Sequence, residues 1–155
     1  MIRRATPEDV PILAALHAAC FTRAWSAAEL LTFLRDPAVV GFVAPQGFVL
    51  VRRAADEAEI LTLCVGNSAR ESGVGTALVR QAAAALHSSG AASLFLEVSA
   101  TNAAARGLYA KLGFEVAGSR KAYYGPGDDA LILKTGLPLG NATSSINIVS
   151  LKQGM

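Results

Sequence analysis

The chain has 155 residues, 52% of them hydrophobic and 17% charged, with a formal net charge of +2. That length suffices for a substantial core in one domain, and that composition excludes a disordered chain. The weak charge, with no basic cluster beyond the pairs Arg3-Arg4 and Arg52-Arg53, excludes a broad nucleic-acid surface.

Pro7, Glu8 and Asp9 stand where a secretory leader would carry its apolar stretch, and no run of about 18 apolar residues occurs. A cytoplasmic protein with no membrane partner is expected. Cys20 and Cys64 are far apart in the sequence and show neither Cys-x-x-Cys nor Cys/His ligand spacing. This argues against a disulfide framework and against a bound metal.

In chain order, Ile2 to Ala5 reads as a short strand, closed by Thr6-Pro7-Glu8-Asp9, in which Thr6 caps a helix running to Cys20. Val10, Leu13, Ala14, Leu16 and Ala18 have roughly helical spacing, which leaves His17 as a surface or satisfied residue without a role. Ser26-Ala27-Ala28-Glu29 is a capping-box pattern that opens a second helix, stopped by Asp36-Pro37. Val39 to Ala44 and Phe48 to Arg53 form a predicted hairpin around Pro45-Gln46-Gly47, with Gly47 as the residue able to take a positive φ. Glu59 to Val65 follows as another antiparallel strand. Beyond a small polar loop, Val74 to Ser89 is an Ala-rich helix ended by Gly90. Then come a strand from Ser93 to Val98, a helix from Asn102 to Leu112 ended by Gly113, and strands from Phe114 to Lys121 and Ala130 to Lys134. The predicted order β-α-α-β-β-β-α-β-α-β-β is mixed α/β, in a single domain over residues 1–139. Residues 140–155 read as a tail whose apolar stretch Ile146 to Leu151 either adds a strand or docks on a partner.

Arg70-Glu71-Ser72-Gly73-Val74-Gly75-Thr76 lies between a strand and a helix start. Unpaired N–H groups and the helix dipole make such a place an anion site, and small residues let a phosphate approach the main chain. A nucleoside triphosphate is excluded, because no Lys-Ser or Lys-Thr follows the glycines. A dinucleotide fits Gly73-Val74-Gly75 with Glu97 at the end of the next strand, although Leu78 stands where a third glycine belongs. Coenzyme A needs the same nest for its pyrophosphate, and Arg70-x-x-Gly73-x-Gly75 resembles the Gln/Arg-x-x-Gly-x-Gly/Ala pattern of the GNAT acetyltransferases.

Downstream stand Leu96-Glu97-Val98, Asn102-x-x-Ala105, Leu108-Tyr109 and Leu112-Gly113-Phe114, and upstream Phe21 to Ser26. Together with the glycine loop, these elements resemble the RimI-like N-acetyltransferases of the GNAT superfamily, over roughly the whole chain to Leu139. The resemblance implies a mixed sheet opened into a V where the strands Glu59 to Val65 and Ser93 to Val98 part. It also implies acetyl-CoA as co-substrate without a metal, and the N-terminal α-amine of a ribosomal small-subunit protein, an alanine, as acceptor. The alternatives are a small-molecule amine, a lysine, or a non-catalytic module binding coenzyme A or NAD.

The resemblance further implies roles for residues. Leu63, Cys64 and Val65 would pair with the pantetheine arm through their backbone, with Cys64 otherwise a small buried residue. Arg70, Glu71, Ser72, Gly73, Val74, Gly75 and Thr76 would hold the pyrophosphate, and Asn102 would bond the arm as well as cap its helix. An attacking amine must lose a proton and the departing thiolate must gain one. Glu97, which alternation sets apart from Leu94 and Leu96, is the expected base, with Glu59 as the substitute; Tyr109 is the expected acid. Trp25, Tyr123 and Tyr124 are candidate walls of the peptide cleft.

Overall fold

The computed structural model describes residues 1–67 and 72–140. Arg70, Glu71 and the stretch Ile146 to Leu151 therefore lie outside the described residues. Within them the chain forms β1 (Arg3–Arg4), a 3-10 turn (Pro7–Asp9), α1 (Val10–Cys20), α2 (Ala27–Arg35), β2 (Val39–Ala44), β3 (Gly47–Ala54), β4 (Glu57–Val65), α3 (Val74–Ser88), β5 (Ser93–Ser99), α4 (Ala103–Lys111), β6 (Glu115–Gly125) and β7 (Asp128–Gly136). The expected order of elements holds throughout.

Local chemistry sets the element ends. Ser26 Oγ accepts from Glu29 N at 3.1 Å and Glu29 Oε1 from Ser26 N at 2.9 Å, which closes the capping box of α2. Gly90 and Gly113 take φ values of 107° and 96° just past α3 and α4. At the β2–β3 turn the residue with positive φ is Gln46, at 67°, not Gly47. Gly47 is already in β3, and its missing Cβ has another use: an added carbon would come within 3.1 Å of Cys64 O and 3.2 Å of Leu78 and Val74 side-chain atoms.

The strands join in one sheet of order β1-β2-β3-β4-β5-β7-β6. Every pairing is antiparallel except β4 with β5. A doubly wound parallel sheet, which the dinucleotide reading calls for, is not what these strands build. The run Phe48 to Val51 is buried on both faces, which explains its unbroken apolar character. On one face Leu78, Val79, Ala82, Ala83 and Leu86 of α3 pack on Val49, Val51 and Ile60; on the other Leu13 and Leu30 of α1 and α2 pack on Phe48 and Leu50. No helix among the described residues is long and apolar enough to cross a membrane.

Candidate active site

β4 and β5 pair only at Glu57 with Ser93, Ala58 with Leu94 and Glu59 with Phe95. Past these residues β4 stays bound to β3 as far as Val65, and β5 to β7 as far as Ser99. Two strands that keep their outer partners but lose each other open a wedge, as the V requires. Main-chain groups on its walls need partners, and an extended amide-bearing group would supply them.

A cleft of about 280 Å³ occupies this wedge, lined among others by Trp25, Thr62, Leu63, Glu97, Asn102, Tyr109 and Tyr124. The residues come from α1 and its following loop, both splayed strands, α4 and β6. On β5, Leu94, Leu96 and Val98 are buried whereas Glu97 is exposed. Arg120 Nε stands 3.6 Å from Glu97 Oε2, an ion pair just beyond hydrogen-bond length. Glu59 is differently placed: it lies in the closed part of the strand pair, with its Oε1 bound to Arg52 Nη2 at 2.8 Å.

Tyr109 is 5% exposed and packs edge-on to Phe114, and no described residue hydrogen-bonds its hydroxyl. Burial lifts this phenol well above its ordinary pKa, so it keeps its proton. Asn102 Oδ1 accepts from Ala105 N at 3.1 Å and caps α4, and the residue also lines the cleft. Burial first, and then the charge of Glu97, raise the Tyr124 phenol.

Tyr123 and Tyr124 part company. The β6–β7 register breaks between Arg120 and Gly125, where Ala122 takes φ 53° and donates its N–H to Asp129 Oδ1 at 2.7 Å. This bulge leaves Tyr124 on the cleft, while Tyr123 is 54% exposed under the Arg120 guanidinium and is not part of the cleft lining.

At the glycine loop, Gly73 has φ 88°, and no described residue lies within 4 Å of where a Cβ would stand. The first α3 hydrogen bond runs from Ala77 N to Gly73 O, so Val74, Gly75 and Thr76 have amides without an acceptor in the helix. Gly75 is buried, and a Cβ there would lie 2.9 Å from Leu108 Cδ1, so its smallness serves close packing of α3 on α4. Cys64 turns its side chain away from the cleft: Sγ donates to Leu16 O at 3.2 Å.

Sequence reasoning passed over His17. It is 3% exposed, its Nδ1 accepts Trp25 N at 3.0 Å, and Nε2 lies 3.3 Å from Thr62 Oγ1. With Nδ1 accepting, Nε2 carries the proton and donates to Thr62. The ring is stacked between Phe21 and Trp25. Positions 10, 13 and 17 form the buried stripe of α1, and Ala18, expected there, is exposed. The three-and-four spacing to His17 was the available signal.

Residues 4–114 match the acetyltransferase (GNAT) family. The chain is similar to the ribosomal protein bS18-alanine N-acetyltransferase of Escherichia coli, 38% identical over 89 residues, which are 56% of this chain and 60% of that protein. The chain thus spans less than two thirds of that relative's length. It is also similar to an N-alpha-acetyltransferase of Sulfurisphaera tokodaii, 30% identical over 139 residues, covering 84% of this chain and 80% of that one. The crystal structure of the ribosomal-protein-S18-alanine N-acetyltransferase from Escherichia coli superimposes with a TM-score of 0.81 at 26% identity, covering 91% of this chain and 96% of that one.

Proposed function

The chain belongs to the acetyltransferase (GNAT) family, and from that membership we propose that it transfers acetyl from acetyl-CoA to the N-terminal α-amine of a protein. The observation that carries this reading is the wedge between β4 and β5, with an exposed carboxylate and a buried, protonated phenol on its walls.

The donor fits the residues present. The backbone of Leu63 to Val65 would pair with the pantetheine amides, and the amides of Val74, Gly75 and Thr76 at the start of α3 would meet the pyrophosphate. Gly73, with no side chain to intrude, leaves that approach open. The group brings an activated thioester carbonyl. Glu97 accepts a proton from the amine, directly or through one water, as the nitrogen attacks that carbonyl. Tyr109 donates its hydroxyl proton to the departing sulfur. Because an α-amine has a pKa near 8, about two units below a lysine, a carboxylate base suffices for it. Asn102 orients the arm, and Trp25 and Tyr124 flank the entering peptide.

The acceptor is proposed to be the N-terminal alanine of a ribosomal small-subunit protein, in the cytoplasm, by analogy with the Escherichia coli relative. Incubating the purified chain with acetyl-CoA and that N-terminal peptide, then locating the added mass by fragmentation, tests it. Acetyl on the α-amine supports the reading; transfer only to lysine or to small amines moves the acceptor elsewhere; absence of transfer together with absence of acetyl-CoA binding overturns it.

A further inference from the structure

The two cysteines, far apart in the sequence, meet at the edge of the site. Cys20 is the last residue of α1 and Cys64 lies near the end of β4, yet their Sγ atoms are 2.7 Å apart, with both as thiols. Cys20 Sγ donates to Val65 O at 3.5 Å and Cys64 Sγ to Leu16 O at 3.2 Å. Each sulfur is thus held by the backbone of the element bearing the other. A disulfide bond is about 2.05 Å long, so closure asks the sulfurs to approach by about 0.7 Å.

We propose that Cys20 and Cys64 are a reversible dithiol–disulfide pair, closed by hydrogen peroxide, that fastens the start of the cleft wall to β4. Exposure assigns the roles: Cys20 is partly exposed, whereas Cys64 is 1% exposed. The Cys20 thiolate attacks one peroxide oxygen, the O–O bond breaks, and the other oxygen leaves as water after taking a proton. Cys64 sulfur then attacks the resulting sulfenic sulfur of Cys20; the S–O bond breaks and a second water leaves. Each sulfur gives up one electron, and the peroxide takes two. Phe21, the next residue, opens the segment to Trp25 that lines the cleft, so the new bond pins that wall at its origin. This chemistry stands whether or not the chain transfers acetyl groups.

Stoichiometric hydrogen peroxide is added to the full-length chain, which is then denatured, alkylated with iodoacetamide, and examined by intact mass and peptide mapping. The expected result is loss of two hydrogens, no alkylation, and a peptide joining Cys20 to Cys64. The melting temperature should rise by on the order of 10 °C, reversibly with dithiothreitol. C20S should show neither change, and in C64S the Cys20 sulfenic acid should persist long enough to be trapped by dimedone. Two alkylated cysteines after oxidation, a bond only between separate molecules, or Cys20 passing to sulfinic acid beside an untouched Cys64 would each overturn the proposal.

Discussion

His17 Nδ1 accepts the backbone N–H of Trp25 at 3.0 Å, so an imidazole buried on α1 fixes the loop that walls the cleft. Through Nε2 the same ring reaches Thr62 on β4. Replacing it with leucine keeps apolar bulk but leaves the part-buried Trp25 N–H and the buried Thr62 hydroxyl without their partner. His17→Leu should cost about 1–3 kcal/mol, read as a lower urea midpoint at unchanged slope.

Burial also gives His17 a pH signature. It holds the folded pKa below the ordinary 6.5, with Glu29 opposing in part. The unfolded chain therefore binds more protons between the folded value and 6.5, and stability rises with pH across that window. Thermal melts should show stability falling as pH drops below about 6.5, with that part of the dependence absent in His17→Leu. An unaltered profile in the variant would place the titration elsewhere.

For the base, the contrast is between Glu97 on the open wedge and Glu59 tied to Arg52 at 2.8 Å. Glu97→Gln should lower kcat/KM on order of 100-fold, most at low pH where the amine is protonated, while acetyl-CoA binding is retained. Glu59→Gln should change kcat/KM less than about threefold, the surface pair contributing little. Reversed ranks in steady-state assays would exchange the two roles.

Tyr109→Phe removes a hydroxyl that no described residue binds, from a ring that is otherwise core. Its melting temperature should stay close to that of the parent, and kcat should fall about 10- to 100-fold with KM for the peptide unchanged. Because burial raises the phenol above its ordinary pKa of 10, the deficit should not vary with pH up to that value.

Gly73→Ala puts a Cβ on a residue with φ 88°, at a cost of about 1 kcal/mol. The carbon points into space that no described residue occupies, where the pyrophosphate is proposed to lie. Calorimetry should show acetyl-CoA affinity reduced about tenfold, more than the stability loss alone explains.

Much of the fold was legible because its signals are local. The Ser26–Glu29 box, the glycines after α3 and α4, and the Asn102 cap act within a few residues, through bonds the chain makes with itself. Alternation along Leu94 to Val98 likewise set Glu97 apart from the buried residues before packing was known. Residues 68–71 and 141–155 aside, the element order followed from such cues.

What lies across the sheet had no such cue. Gly47 and Gly75 read as turn and ligand-access residues, but their lack of a Cβ is used by Cys64, Leu78 and Leu108, side chains and backbone brought from distant elements. A bulge opposite β7, not the pair of tyrosines itself, separates Tyr124 on the cleft from Tyr123 outside it. The contact between Cys20 and Cys64 arises only when α1 lies over β4, and the burial of His17 only when Phe21, Trp25 and Phe48 close around it. Periodicity states which face of an element is apolar; which neighbours that face meets depends on how the loops close. The sequence by itself therefore determined the elements and the family-like order of the site, and packing decided which side chains share the cleft.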